Sequence, residues 1–311
     1  MANGGILTIV EPQIHPQRVV ERATWLAERT GKNLTLLLCD ADVTALASGF
    51  FVSAETKSIA DEMRLAQREI LEDLAEPVRE RGIKPRLEVL DERPVAEGII
   101  ARALDMEPDY VLKGTRYHSE AQRSIFVDTD WHLVRVCPYP LWLVKPQDIS
   151  EEPCIIAAVD PTHGDDEPAH VDRLIVKEAL AVARKTHGEV HLLHTYQPLR
   201  GIGAEATRTF KPIRIPIEDL SKKMEQDHRQ KLELLAETMG IAGERVHQLA
   251  GSPGEVLPWF TRDRNADLIV MGSIARWSLQ RAVVGSTAEN VMDHLPCDIL
   301  VVRAVSGKGS S

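Results

Sequence analysis

The sequence is poor in the features that define several classes of protein. Only four cysteines occur in 311 residues, and none forms a Cys-x-x-Cys pair, so neither a disulfide framework nor a zinc finger is expected. No apolar run approaches the ~18–20 residues that span a bilayer, and the first residues do not resemble a secretion signal. Lys and Arg (37) are outnumbered by Asp and Glu (47), which disfavours a nucleic-acid partner. We therefore expect a cytoplasmic protein with reduced thiols.

The motifs of common catalytic sites are also missing. The sequence has no Gly-x-Ser-x-Gly nucleophile elbow and no Gly-x-x-x-x-Gly-Lys-(Ser/Thr) phosphate loop, and we predict no catalytic residue. His187, His191 and His194 are closely spaced, but odd spacing on a strand places the last two on opposite faces, so no metal site is predicted there. A metal site formed by His15, His118 and His132 of the first half stays open, because only the fold could bring them together.

What the sequence does contain is an internal repeat. Residues 6–12 read Ile-Leu-Thr-Ile-Val-Glu-Pro, and residues 155–161 read Ile-Ile-Ala-Ala-Val-Asp-Pro. Further along, three pairs of segments match at a constant offset of 158: 82–83 with 240–241, 109–114 with 267–272, and 141–144 with 299–302. A constant offset over about 60 residues indicates a duplicated domain.

The repeat and the hydrophobic pattern together predict the fold class. Continuous Val/Ile/Leu strands alternate with amphipathic helices, which indicates a parallel sheet covered on both faces. We predict two tandem domains, 1–148 and 149–311, each a Rossmann-like, doubly wound sheet of five parallel strands. The polar, proline-flanked stretch 146–153 is the expected linker.

Ligands of such sheets bind beyond the carboxyl ends of the strands. In the second half these ends carry Asp160 and Met271-Gly272, and the following segment contains Arg276. Gly285-Ser286-Thr287 then opens a predicted helix, whose free N–H groups suit a phosphate. An ordinary capped turn explains the same glycines equally well at this point.

These residues carry a resemblance to the tandem-type universal stress proteins, above all to their E type. The nucleotide signature of that family is Gly-x-x-Gly, nine residues, then Gly-(Ser/Thr), and Gly272 through Gly285-Ser286 has that spacing. The segment 129–142 also resembles the E-type members. The resemblance implies ATP or another adenine nucleotide in the second domain, at the following residues: Asp160, Met271, Gly272, Arg276, Gly285, Ser286 and Thr287. Ala275 departs from the signature, because it replaces the second glycine.

The first half departs further. At the same offset Tyr117, Val127 and Asp128 replace Ala275, Gly285 and Ser286, and Glu11 replaces the Asp of the family. A carboxylate at the phosphate position repels a nucleotide, and a β-branched Val does not easily take a glycine conformation. We interpret the first half as a degenerate copy.

Three functional hypotheses follow from this resemblance. The favoured one is a cytoplasmic stress-response protein that binds a small ligand in the second domain and acts through a partner protein. The alternatives are a slow ATPase on the same site and a ligand-free scaffold. The last strands, 140–145 and 298–303, are expected to pair within the chain as a pseudo-dimer, since an unpaired apolar edge invites association, and a homodimer stays open.

Overall fold

The protein consists of two compact units, Met1–Ile149 (unit 1) and Ser150–Ser311 (unit 2). The computed structural model describes residues 4–39, 54–90, 94–115, 129–162, 167–198, 217–273 and 291–303. None of the helices in these ranges is both long enough and apolar enough to cross a membrane.

Strands and helices alternate in unit 1. Its elements are β1 (Ile6–Val10), α1 (Pro16–Thr30), β2 (Leu34–Leu38), α2 (Ala54–Glu80), β3 (Arg86–Val89), α3 (Val95–Met106), β4 (Tyr110–Gly114), α4 (Thr129–Val136) and β5 (Leu141–Val144). Helix α1 begins with Pro16, whose missing N–H suits a first turn, and ends at Gly31, whose φ of 66° is left-handed.

Unit 2 repeats this order. Its elements are β6 (Cys154–Val159), α5 (Glu167–Thr186), β7 (Glu189–Tyr196), α6 (Ile217–Met239), a 3-10 turn (Gly243–Arg245), β8 (Val246–Ala250), α7 (Pro253–Asp263), β9 (Leu268–Gly272) and β10 (Asp298–Val302). Residues 291–294 are also helical.

Each unit has a five-stranded parallel sheet, which confirms the predicted fold class. The order is β3-β2-β1-β4-β5 in unit 1 and β10-β9-β6-β7-β8 in unit 2. All ladders within the two units are parallel, and the first and fourth strands of each unit lie side by side, as the pairs Ile6↔Tyr110 and Ile155↔Leu268 show. The strands β1, β2, β4, β5 and β10 are buried along their whole length, as expected for a sheet covered on both faces. The pairing of the two last strands stays a prediction.

One helix boundary has a different cause from the one that the sequence suggests. Because glycine suits a helix C-terminus, the sequence predicts that α5 ends at Gly188, yet His187 takes the left-handed conformation there, with φ of 55°. Gly188 has another role: a Cβ atom at this position would lie 2.4 Å from the carbonyl oxygen of Pro153. The glycine therefore permits close approach of the segment that leads into β6.

Candidate functional site

The carboxyl ends of β6, β7 and β9 surround a cavity in unit 2. Its volume is about 260 Å³, and it lies where the strand order reverses, between β6 and β9. Apolar side chains supply most of the wall, and polar groups come from the strand ends and from α5. The lining residues are Ala158, Val159, Asp160, Val171, Asp172, Ile175, Leu193, Thr195, Pro253, Leu257, Met271, Gly272 and Ser273.

Asp160 brings a partly solvated carboxylate to this cavity. The residue follows β6, and its backbone N–H donates to Oδ1 of Asp172 on α5 at 3.0 Å. The hydroxyl of Thr162 donates to Oδ1 of Asp160 at 2.7 Å, which orients the carboxylate. The side chain is 48% exposed, and a carboxylate offers about four acceptor positions, so Asp160 can accept further hydrogen bonds from a ligand.

Gly272 has a packing role that its sequence motif does not reveal. A Cβ atom there would lie 2.8 Å from Cγ1 of Val171, so any side chain would push α5 away from β9. Gly114, at the matching position of unit 1, is equally tight, because a Cβ atom would lie 2.9 Å from Cγ2 of Val19 on α1 and 2.8 Å from the carbonyl oxygen of Ile14, just before that helix. Helix packing therefore explains this glycine in both units, whether or not a ligand binds.

The structure brings three of the predicted site residues together. Asp160, Met271 and Gly272 all line the cavity. The predicted phosphate loop lies outside the described residues, and its assignment stays a prediction: Ala275, Arg276, Gly285, Ser286 and Thr287.

A pair of histidines lies behind the cavity, on the other face of β7. Nε2 of His194 is 2.9 Å from Nδ1 of His228 on α6, and Nδ1 of His194 is 3.1 Å from the carbonyl oxygen of Val159. Burial lowers the pKa of His194, because an enclosed site disfavours the charged imidazolium relative to the neutral imidazole. His191 instead packs against His247 on β8, which confirms that His191 and His194 point to opposite faces. Sequence spacing could not reveal either partner, since each comes from a different element.

The same edge of unit 1 contains an ion-pair cluster where unit 2 has a cavity-lining methionine. Lys113 stands at the position of Met271, at the offset of 158. Its side chain is 1% exposed, and Nζ lies 2.5 Å from Oε2 of Glu11 and 2.5 Å from Oδ1 of Asp130. Burial lowers the pKa of Lys113, but the carboxylates of Asp130 and Glu11 outweigh this effect and hold it above the ordinary lysine value.

This ion-pair cluster bears on the interpretation of the first half as a degenerate copy. The acid that replaces the family's Asp, Glu11, pairs with the ammonium group of Lys113 at the strand ends. The other replacements on which the sequence interpretation rests, Tyr117, Val127 and Asp128, lie outside the described residues. Sequence reasoning missed Lys113 and Asp130. The sequence does not reveal that the end of the strand β4 lies beside the start of the helix α4.

Residues 5–145 and 156–303 each match the universal stress protein family. The chain belongs to this family. The two matched ranges fall in units 1 and 2, so the family domain occurs in tandem.

The chain matches relatives within the family along nearly its whole length. The chain is 28% identical to Universal stress protein E of Escherichia coli strain K12 over 308 residues, which covers 96% of this chain and 93% of the relative. It is 27% identical to Universal stress protein E of Photorhabdus laumondii over 313 residues, covering 97% and 96% of the two chains. These matches confirm the resemblance to the E type.

Solved structures support the fold. A universal stress protein from Pseudomonas aeruginosa UCBPP-PA14 superimposes with a TM-score of 0.71 at 23% identity and covers 97% of this chain and 94% of its own. One from Archaeoglobus fulgidus gives a TM-score of 0.62 at 16% identity and covers 97% of each chain. At these identities the likeness shows the fold alone.

Proposed function

We propose that the protein is a stress-response ligand-binding protein whose unit 2 takes an adenine nucleotide in the cavity at the ends of β6, β7 and β9. The observation that carries this proposal is the contrast between the units. Unit 2 has a cavity of about 260 Å³ at the switch point of its sheet, whereas the matching edge of unit 1 holds the Lys113 ion pairs. Ligands bind at this place in open α/β sheets.

The chemistry of the cavity suits a nucleoside. Its apolar walls, from residues such as Ile175 and Leu257, match a flat purine ring. The carboxylate of Asp160 at the rim can accept hydrogen bonds from ribose hydroxyls. From the family resemblance we infer that Gly285-Ser286-Thr287 would bind the phosphates. Occupancy of the site would then change a surface that a partner protein recognises.

Calorimetric titration of the full chain with ATP, ADP, AMP and adenosine tests the proposal. Asp160→Asn removes a charged acceptor, and since hydrogen bonds to charged groups contribute about 1.5–3 kcal/mol, affinity should fall at least about tenfold. Ala158→Leu places a larger side chain in the cavity and should also weaken binding. Leu234→Ala is the control and should bind as wild type does, because Leu234 is 64% exposed on α6 and does not line the cavity.

Two further variants test the assignment of the site to one unit. Gly285→Asp puts a carboxylate where the phosphates are proposed to bind and should abolish nucleotide binding, because like charges repel at short range. Val127→Ala, at the matching position of unit 1, should leave affinity unchanged. Equal losses from the two changes would contradict the assignment.

The outcome also separates this proposal from the two alternatives. Conversion of bound ATP to ADP under single-turnover conditions would favour the slow ATPase. Failure of all four adenine compounds to bind the wild-type chain would favour the scaffold and overturn the proposal.

A further inference from the structure

Three potential metal ligands meet at the opposite edge of the unit 2 sheet, where β6 and β7 begin. Cys154 is the first residue of β6 and pairs in register with Glu189, the first residue of β7. His191 lies two residues further along β7 and therefore points to the same face as Glu189. One ligand atom from each of these three side chains lies within 4.8 Å of the others.

The separations come close to those of a tetrahedral zinc site. Bond lengths of about 2.0–2.1 Å to nitrogen and oxygen and about 2.3 Å to sulfur place tetrahedral ligand atoms about 3.3–3.6 Å apart. Nε2 of His191 and Oε1 of Glu189 are 3.2 Å apart, which already matches. The sulfur of Cys154 lies within 4.8 Å of both, so an inward movement of about 1 Å completes the geometry.

Neighbouring groups hold the ligands in the required orientation. Nδ1 of His191 lies 3.0 Å from Nε2 of His247, and the two rings stack at 5.3 Å, which directs Nε2 of His191 towards the cluster. Metal-bound histidines are commonly oriented in this way through the second ring nitrogen. Arg245 lies 3.7 Å from Oε2 of Glu189, which leaves Oε1 on the side of the imidazole. The backbone N–H of Cys154 donates to Oδ2 of Asp267 at 2.9 Å.

Exposure leaves room for an ion to enter. His191 is 6% exposed, whereas the side chain of Glu189 is 50% exposed and Cys154 is half-buried. A site with three protein ligands keeps a fourth position for water. Sulfur, imidazole nitrogen and carboxylate oxygen together suit a borderline-soft divalent ion, and Zn²⁺ matches this set best.

We propose that Cys154, Glu189 and His191 bind one Zn²⁺ ion at the amino-terminal edge of the unit 2 sheet, with water as the fourth ligand. The thiol of Cys154 gives up its proton when the sulfur–zinc bond forms, while the imidazole and the carboxylate each donate a lone pair. Burial, together with Glu189 and Asp267, raises the pKa of Cys154 to about 11, so binding at neutral pH releases this proton to the buffer. The site is separate from the nucleotide cavity, which lies at the other ends of the same strands.

Titration of the metal-free full chain with Zn²⁺ and with Co²⁺ tests the proposal. One equivalent of Co²⁺ should produce a sulfur-to-cobalt charge-transfer absorption band, and native mass spectrometry should show one bound zinc. Cys154→Ser should remove the band. Glu189→Gln, a change at an exposed position that keeps the shape of the side chain, should weaken zinc binding at least about tenfold, since even outer-shell changes cost about 10–100-fold.

The matched control comes from unit 1. Cys137→Ala removes a buried cysteine and should alter neither the cobalt band nor the zinc stoichiometry. Thermal unfolding of each variant reports whether it folds. If Cys154→Ser does not fold, the loss of zinc affinity in Glu189→Gln still tests the proposal. A wild-type chain that binds no zinc, or a cobalt band that survives in Cys154→Ser, would overturn the proposal. Neither Cys154→Ser nor Glu189→Gln should change adenine nucleotide binding. A failure of the zinc proposal can therefore be told apart from a failure of the proposed nucleotide function.

Discussion

Replacing Lys113 by Met tests whether the ion-pair cluster stabilises unit 1. The substitution introduces the residue that unit 2 has at the matching position, and it leaves the carboxylates of Glu11 and Asp130 without their shared ammonium group. These side chains are only 19% and 8% exposed, so water cannot compensate fully. Removing one partner from a buried ion pair costs about 3–5 kcal/mol. For a domain of this size we expect the unfolding temperature of unit 1 to fall by about 6–20 °C.

The assay is guanidinium and thermal unfolding of the full chain at pH 7, followed by circular dichroism. Lys32→Met is the matched control, because Lys32 forms an exposed pair with Asp109 at 2.9 Å, and such pairs contribute about 0–1 kcal/mol. A triple variant that adds Glu11→Gln and Asp130→Asn removes every charge of the cluster and should recover much of the loss.

The pH dependence follows from the raised pKa of Lys113. Because the pKa of Lys113 is raised in the folded state, its ion pairs contribute fully to the unfolding free energy below the ordinary lysine pKa of about 10.4. This contribution is lost as the pH rises through the pKa of Lys113 in the folded state. At pH 7 the contribution is therefore complete. In Lys113→Met the deficit should shrink at acid pH, because protonation of either carboxylate relieves their repulsion. A Lys113→Met variant that unfolds like Lys32→Met would refute the reasoning.

Two further predictions concern unit 2. Gly272→Ala should lower the free energy of unfolding by about 1–3 kcal/mol, because its Cβ would meet a methyl group of α5 at 2.8 Å, whereas Gly254→Ala, with its nearest neighbour at 3.8 Å, should not destabilise. Burial lowers the pKa of His194, which faces His228 at 2.9 Å and Asp160 at 3.8 Å, so the unfolding free energy should decline as the pH falls below about 6.5. His194→Gln should flatten this decline in denaturant titrations at successive pH values, and an unchanged slope would contradict the assignment.

Strand positions in unit 2 followed closely from hydrophobic pattern. Apolar runs in the sequence predict strands over 154–159, 189–195 and 267–272, and the structure has strands at Cys154–Val159, Glu189–Tyr196 and Leu268–Gly272. The apolar runs Ile155–Val159 and Leu268–Val270 mark most of two of these strands in the sequence, because strands inside a covered parallel sheet are mainly apolar.

The first residue of a helix was harder to predict from the sequence than the limits of a strand. The apolar periodicity of α5 becomes regular only at Val171, yet the helix begins at Glu167. Pro168 lies in the first turn, where a missing N–H costs nothing, and it gives no apolar signal. The apolar pattern therefore places the start of the helix one turn too late.

The side-chain clusters were the part that sequence could not supply. Glu11 was recognised only as a departure from a motif, and its pairing with Lys113 depends on β1 and β4 being neighbours. Cys154 and His191 were interpreted separately, as a reduced thiol and an isolated imidazole, although the register of β6 and β7 places them together. Spacing along the chain carries no information about such pairs, because strand order sets them.

The buried cluster of unit 1 has an evolutionary consequence. Two domains that arose by duplication began with the same residues at these strand ends, and any path between a cavity and a cluster passes through intermediates. Once Lys113 pairs with both Glu11 and Asp130, its reversion alone leaves two carboxylates together among buried atoms. Divergence into the present state is therefore easy to retain, whereas a return to the methionine of unit 2 at position 113 requires a change at a neighbouring carboxylate as well. Specialisation of the two halves is in this sense directional.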